Sequence, residues 1–278
     1  MKTASIKTKA TAYFKNFWKY RFLLSEIVRK NVKLQYRNSV LGMFWTFLQP
    51  LMTTIVLVLV FGGIFGRKDP AVGCYPIYLL CGRLLYEFYS QATKRAMRSI
   101  RNSASVIKKV YVPKYIYPLS SVLSNFVTFA MSLLVLVVMV LYFKIFTDEV
   151  VNITWYALLA IVPVLIMLIL CQGVGMILAV LNVFFKDIEY IYEVFCMLLF
   201  YLTPIFYTVK SLGAVSIVQY GLMANPLYSI VSMFRDCVLF GQMWNWNHLW
   251  YSLAFSVATV IIGSYIFYKK QDDFILYI

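Results

Sequence analysis

The sequence predicts an all-α polytopic membrane protein with six transmembrane helices. Two features of the composition lead to this fold class: 62% of the residues are hydrophobic and only 13% are charged. Soluble domains carry about 25% charged residues, so this chain has too few to cover a surface that faces water. Each span takes about 20 apolar residues, so the length allows about six spans with their loops.

The apolar runs divide the chain into an N-terminal segment (1–42), a membrane domain (43–268) and a C-terminal segment (269–278). Pro50 lies in the first turns of the first span, where a missing N–H costs little. Within the membrane domain the predicted spans are 43–65, 76–97, 119–143, 155–184, 190–207 and 249–268.

The stretch 208–247 is the longest between spans. One part of it has apolar residues at helical spacing, but Arg235 and Asp236 lie at the centre of that pattern. Two charges make it a poor candidate to cross the membrane. We therefore expect short interfacial or re-entrant helices on the outer face, between the fifth and sixth spans.

The net charge of +15 would suit a nucleic-acid binder, but its distribution does not. Ten Lys and Arg residues precede residue 40, and seven more lie between Lys94 and Lys114. Both groups flank apolar runs, as cytoplasmic loops of membrane proteins do. We therefore expect both termini and the basic loop 99–114 to be cytoplasmic, and we expect no nucleic-acid partner.

The segment before the first span has the pattern of an amphipathic helix. At 100° per residue, a helix over residues 26–41 gathers Arg29, Lys30, Lys33 and Arg37 into an arc of about 100°. An apolar stripe runs beside this arc. The pattern fits a plain membrane anchor and a partner-docking surface equally well.

Charged and aromatic residues within the spans are candidates for a channel lining. Arg83 and Glu87 are spaced i, i+4 in the second span, so they can pair on one helix face. Intramembrane charges usually face a protein interior or a wet cavity, although a pair at the level of the lipid headgroups is the alternative. Tyr86, Tyr201 and Tyr207 are aromatic candidates, because flat rings can stack on sugar faces.

Several chemistries find no support in the sequence. It contains no GxxxxGK[ST] phosphate loop, so ATP is not expected to bind through such a loop of this chain. One histidine, His248, and five scattered cysteines give no metal site or catalytic constellation. An integral-membrane glycosyltransferase or acyltransferase should show clustered Asp, Glu or His at a membrane boundary. We therefore expect a transporter subunit and not an enzyme.

Four stretches together resemble one family, the type 2 ABC-transporter permeases that export lipid-linked polysaccharides such as O-antigen, capsule and wall teichoic acid. They are QYRNSVLGMFWTFLQPL (35–51), SVIKKVYVPKYIYPLSS (105–121), NVFFKDIEYI (182–191) with TPIFY (203–207), and NPLYSIVSMFRDCVLFG (225–241). The family usually has Arg-Asp at the cytoplasmic corner where this chain has Lys186 and Asp187. That exchange keeps the charge and loses the guanidinium fork.

The resemblance implies a homodimeric permease in the bacterial cytoplasmic membrane that carries an undecaprenyl-diphosphate-linked glycan. Two separate ATPase subunits would hold ATP and Mg²⁺. The translocation path would lie between the two copies and be lined by the first, second and fifth spans. A type 2 exporter of drugs or small lipids would have the same topology.

The resemblance also implies roles for particular segments. The amphipathic helix becomes an interface helix, whose four basic residues could meet lipid phosphates or the diphosphate of the substrate. The stretch 208–247 resembles the outer-face gate helices. The loop 99–114 becomes the coupling segment that docks on the ATPase, and its candidate residues are Asn102, Val106, Ile107, Lys108, Lys109, Tyr111 and Pro113.

Overall fold

The computed structural model describes residues 2–37, 39–60, 73–110, 112–146, 152, 154–207, 221–222 and 224–277, without the side chains of 2–17. Every regular element in these ranges is a helix, and no strand occurs in them. The predicted all-α fold class is therefore confirmed for the described residues.

The helices of the described ranges are named here in chain order. They are α1 (Lys2–Tyr36), a 3-10 turn (Gly42–Phe44), α2 (Trp45–Leu57), α3 (Tyr75–Asn102), α4 (Ala104–Ile107), α5 (Ile116–Phe146), α6 (Tyr156–Leu159), α7 (Ile161–Phe184), α8 (Ile188–Leu202), α9 (Pro226–Val238), α10 (Trp246–Lys270) and α11 (Phe274–Tyr277).

Four helical stretches in the described part of the chain are long and apolar enough to cross a membrane: Gly42–Val60, Ile116–Phe146, Tyr156–Phe184 and Trp246–Lys270. They correspond to the predicted first, third, fourth and sixth spans. The predicted second and fifth spans fall on α3, which carries several charges, and on α8, which has only 15 residues. The count of six spans therefore stays a prediction.

The central helix of the fold is α3. Most of its residues are buried, and they pack against α5, α7, α8 and α9. Because its neighbours are protein, its sequence does not need the hydropathy of a helix that faces lipid. The main apolar core lies along this helix and extends into the facing sides of α5, α7 and α9.

The closest helix pair is α7 with α10, and glycines allow it. A Cβ atom on Gly173 would lie 2.6 Å from backbone atoms of Thr259 and Val260, and one on Gly263 would lie 2.7 Å from the Gly173 carbonyl oxygen. Neither backbone can retreat, so only glycine fits at this crossing.

The N-terminal helix ends earlier than the sequence suggests. The predicted helix over 26–41 stops at Tyr36, and Gly42 at φ 51° turns the chain into α2. Pro50 then removes the donor that the Thr46 carbonyl would use within α2. The hydroxyl of Ser132 on α5 donates to that carbonyl at 3.3 Å, so the neighbouring helix replaces the missing bond.

An irregular stretch, 203–207, follows α8 because Pro204 prevents the helix from continuing. Its carbonyl groups find donors on other elements. The guanidinium of Arg235 on α9 donates to the carbonyls of Pro204 (2.8 Å) and Ile205 (3.1 Å). The hydroxyls of Tyr75 and Tyr78 donate to the carbonyls of residues 206 and 207 at 3.1 and 3.0 Å.

Arg235 also fixes α9 to α3. It is 4% exposed, donates through Nε and Nη2 to the Tyr78 carbonyl at 3.2 and 3.1 Å, and lies 3.5 Å from the centre of the Tyr78 ring. A Cβ atom on Gly82 would lie 2.5 Å from Nη2, so glycine makes room for the guanidinium. We call Arg235, Tyr75, Tyr78, Gly82 and the stretch 203–207 the arginine node.

The expectation for α9 is refined by this contact. The helix has 13 residues, starts after the Asn225 side chain caps the Leu227 N–H at 3.0 Å, and is too short to cross the membrane. Its apolar residues are buried in protein and do not lie on a lipid surface. Residues 208–220 and 223 of the predicted gate segment lie outside the described residues.

We expect Arg235→Met to lower the thermal unfolding midpoint of the purified protein strongly. The carbonyls of Pro204 and Ile205 would lose their donors, and each orphaned buried carbonyl costs about 1–3 kcal/mol. Arg235→Lys keeps the charge without the planar fork and should fall between Arg235→Met and the wild type.

Asp236→Asn is the matched control, because it changes the adjacent charge on the same helix and retains an acceptor for Gln242. It should leave the midpoint almost unchanged. Equal midpoints for Arg235→Met and Asp236→Asn would show that the arginine node contributes nothing to stability.

Candidate functional site

The coupling segment forms one short surface helix between α3 and α5. Asn102 is the last residue of α3, and α4 occupies only Ala104–Ile107. Asn102, Val106, Lys108 and Lys109 are exposed. Ile107 is half-buried and packs against the cluster that contains Ile100.

Pro113 and Tyr111 are the remaining members of the predicted coupling set. Pro113 is half-buried just before α5. Tyr111 lies outside the described residues. The described members therefore present an outward polar and basic edge, with Ile107 as the residue that attaches it to the protein.

The cytoplasmic corner lies directly after α7. Lys186 and Asp187 are exposed, and Asp187 precedes α8 without capping it through its side chain. In the described part of the chain, no ion pair involves either residue. Their charges therefore face outward.

A network of ion pairs joins α3 to α8 beside that corner. Nε of Arg98 lies 2.9 Å from Glu189, Nη2 of Arg98 lies 3.2 Å from Glu193, and Arg101 lies 3.7 Å from Glu189. Asn182 on α7 donates to the carbonyl of Met97 and to Glu189, both at 3.1 Å. These groups, here called the carboxylate clasp, hold three helices together next to the coupling segment.

Three of the four predicted interface cations line one groove. Arg29, Lys33 and Arg37 lie with Arg21 along a groove of about 820 Å³ between α1, α5 and the turn at Gly42. Its lining is otherwise mainly apolar and includes Leu24, Val28, Val32, Leu123, Phe126 and Val127. The side chain of Arg29 is 81% exposed and lies 3.5 Å from Glu26. The groove thus combines apolar walls with a basic rim.

Lys30 is separated from the other three. It lies on the other side of α1, in a cavity of about 580 Å³ that Arg95, Arg98 and Asn102 also line. Serines, amides and apolar side chains such as Leu23, Ile27 and Leu34 complete this lining, and no carboxylate belongs to it among the described residues. The single basic arc predicted from the sequence is therefore divided between two spaces.

The predicted pair of Arg83 and Glu87 forms, with Nε and Oε2 at 3.7 Å. Gln49 on α2 and Gln91 on α3 donate to Oε1 of Glu87 at 3.2 and 3.0 Å. Glu87 also lines a cavity of about 80 Å³ with Tyr36 and other polar residues. The carboxylate therefore lies against α2 within the subunit.

The three tyrosine candidates have different surroundings. Tyr86 is 8% exposed and donates to the carbonyl of Cys196 on α8, so little of its ring surface is open to a sugar. Tyr201 is 59% exposed. Tyr207 is half-buried and donates to the Tyr201 carbonyl at 2.9 Å.

Burial affects one tyrosine of the interface helix. Tyr36 lies at the end of α1 and lines the groove. Removal from water raises the pKa of its hydroxyl above the ordinary value, against smaller opposing effects of Thr128 and Arg95. The hydroxyl therefore stays neutral and accepts a hydrogen bond from Gln35 at 3.1 Å.

Sequence reasoning missed Arg235, Glu189 and Glu193 as organising residues. One signal pointed to Arg235: an arginine within an apolar helical pattern needs an acceptor, and a proline-broken span lay nearby in the sequence. Nothing local pointed to Glu189 and Glu193, because their partners are more than 90 residues earlier.

Comparison with known proteins gives consistent relatives. An O-antigen export system permease protein, RfbA, of Myxococcus xanthus is 27% identical over 260 residues, which are 94% of this chain and 96% of the relative. The protein of the same name from Klebsiella pneumoniae is 27% identical over 254 residues, covering 91% and 93%. The polysialic acid transport protein KpsM of Escherichia coli is 21% identical over 245 residues, covering 87% and 91%.

The family comparison covers the helices that form the sites described above. Residues 23–239 match the family described as ABC-2 type transporter, from the groove-lining half of α1 to the end of α9. This match extends over more than half of the chain, which therefore belongs to the ABC-2 type transporter family.

Proposed function

We propose that this chain is the transmembrane permease subunit of a bacterial ABC exporter for undecaprenyl-diphosphate-linked polysaccharide. The observation that carries the proposal is the nearly end-to-end similarity to proteins named as O-antigen export permeases. The permease is a homodimer in the cytoplasmic membrane and no enzyme itself. Two separate ATPase subunits hold ATP and Mg²⁺ and supply the energy.

The proposed topology has six spans and both termini in the cytoplasm, with α3 and α8 as the second and fifth. The polar groups of α3 are tolerable because its neighbours are protein. Helix α8 is about 22 Å long, which is shorter than a hydrocarbon core of about 30 Å. The proposed fifth span therefore includes the irregular stretch 203–207 at its end.

The ATPase docks on the exposed edge of the coupling segment. Asn102, Val106, Lys108 and Lys109 form that edge, and Lys186 and Asp187 at the corner lie outward near it. The carboxylate clasp supports this role, because it connects the end of α3 to the start of α8. A displacement of the coupling segment therefore reaches a span that faces the path.

The path lies between the two copies, along α2, α3 and α8. One side of α8 is exposed in the single subunit, with Val194, Met197, Leu198 and Tyr201 each 57–62% exposed. Tyr201 and Tyr207 offer rings to a sugar chain. Arg83 and Glu87 provide the charged part of this lining next to α2.

The groove beside α1 receives the phosphate-bearing end of the lipid-linked substrate. Its basic rim of Arg29, Lys33 and Arg37 matches the charge of a diphosphate, and its apolar walls match a polyprenyl chain. Lys30 lies outside this groove, in the cavity on the other side of α1. The helix thus serves as interface and as headgroup contact.

Reconstitution tests the function directly. Vesicles that contain the permease and its ATPase, with the cytoplasmic face outward, should hydrolyse ATP faster when a lipid-linked glycan is added. The glycan should then appear in the lumen. Stimulation by a drug or a phospholipid, with no response to any lipid-linked glycan, would instead make the chain an exporter of drugs or small lipids.

Reversing the charges of Lys108 and Lys109 to Glu should uncouple ATP hydrolysis from export. Like charges placed together at an interface cost several kcal/mol, so export should fall by at least about tenfold. Hydrolysis by the ATPase should continue. Lys144→Glu, near the other end of α5, is the control, and an unchanged rate of export in the double variant would remove the docking assignment.

Replacing Arg29, Lys33 and Arg37 with Gln should weaken binding of a diphosphate-linked polyprenyl glycan. Each basic residue near an anionic surface contributes about 1 kcal/mol, so affinity should fall by up to about a hundredfold. Lys30→Gln changes the same helix outside the groove and should have a much smaller effect. Unaltered binding by the triple variant would reduce the helix to a plain anchor.

A further inference from the structure

The C-terminal residues fold back against the protein after α10. A turn is closed by hydrogen bonds from Gln271 N to Phe267 O (2.9 Å) and from Asp273 N to Lys270 O (3.2 Å). Lys270 and Asp273 also form an ion pair at 3.9 Å. The chain then forms α11. This segment, residues 271–277, is called the tail.

Phe274 anchors the tail. Its side chain is 0% exposed, whereas Leu276 two residues later is 81% exposed. The Phe274 ring packs edge-on against Phe267, with centres 5.3 Å apart, and against Phe184, with centres 6.1 Å apart. Phe184 is the last residue of α7, directly before the cytoplasmic corner.

The coupling segment contacts the same anchor from the other side. Nζ of Lys114 donates to the carbonyl of Gln271 and lies 5.7 Å from the centre of the Phe274 ring. Ile107, Val112 and Tyr115 pack against the cluster that contains Phe274. Residues on both sides of the exposed lysines of the coupling segment therefore rest on a cluster that the tail completes.

The tail lies beyond the part of the chain that matches the transporter family, which ends at residue 239. Family membership therefore assigns it no role. Phe274 is completely buried in a cluster that includes residues of the coupling segment and of α7, so the tail connects these two elements.

We propose that the tail is a positioning element for the coupling segment, with Phe274 and the bond from Lys114 to Gln271 as its two contacts with that segment. It holds the segment against α7 at the orientation in which the ATPase drives the permease. The inference rests on the proposed docking of the ATPase on this segment. Phe274 touches neither ATP nor substrate and acts only through the segment.

The test compares export per ATP hydrolysed in reconstituted complexes of full-length variants. Phe274→Ala leaves the docking residues intact but removes their support, so hydrolysis should continue while export per ATP falls. Changes in networks that connect sites alter coupling by about 0.5–2 kcal/mol, or about two- to thirtyfold. Phe274→Leu keeps an apolar side chain at this position and should retain most of the wild-type export per ATP. Leu276→Ala should leave export per ATP unchanged.

A second measurement reports on position directly. Amide hydrogen exchange over residues 104–110 should become faster in Phe274→Ala and in Lys114→Met than in the wild type and in Leu276→Ala. This readout needs no ATPase. If Phe274→Ala does not fold, Lys114→Met and Phe274→Leu examine the same contacts through smaller changes.

The charge reversal of Lys108 and Lys109 separates the two proposals. If it uncouples export while Phe274→Ala and Lys114→Met behave as wild type in both measurements, the positioning role is wrong and the docking site stands. If the reversal itself leaves export per ATP unchanged, ATPase docking on this segment is wrong, and the role of the tail falls with it.

Discussion

Buried backbone carbonyl groups need hydrogen-bond donors, and the non-helical stretch 203–207 obtains them from side chains of other helices. Proline ends α8, and four successive carbonyls then accept hydrogen bonds from Arg235, Tyr75 and Tyr78. The guanidinium is well suited to this because its planar fork donates in several directions at once. Glycine at position 82, the burial of α9 and the path of the chain after the fifth predicted span all depend on this arrangement.

The apolar runs predicted a span at each of six places, and four of them correspond to described helices that are long and apolar enough to cross a membrane. The predicted span 76–97 is more polar than the others and corresponds to the central helix α3. This helix is surrounded by protein, so it can carry Arg83, Glu87 and a basic end.

The candidate sites were predictable where the pattern is local. The short surface helix between two spans and the pairing of Arg83 with Glu87 follow from the local pattern along one loop or helix, while the coupling role of that loop came from the family resemblance. The ion pairs of the carboxylate clasp and the hydrogen bonds of Arg235 join residues that are 30 to 157 positions apart, and a single sequence holds no record of such pairs. The division of Lys30 from Arg29, Lys33 and Arg37 likewise depends on which side of α1 meets α5, and helix periodicity does not specify that neighbour.

The contacts between α3 and α8 occur at two levels. The carboxylate clasp joins the end of α3 to the start of α8, and Tyr86 with Cys196 and Tyr192 with Thr93 join their middles. Helices held at several points along their length tilt together and do not peel apart. In the proposed dimer, the path between the two subunits would therefore widen at the outward side of α8. Its width would be set by rotation of whole subunits and not by separation of helices within either subunit.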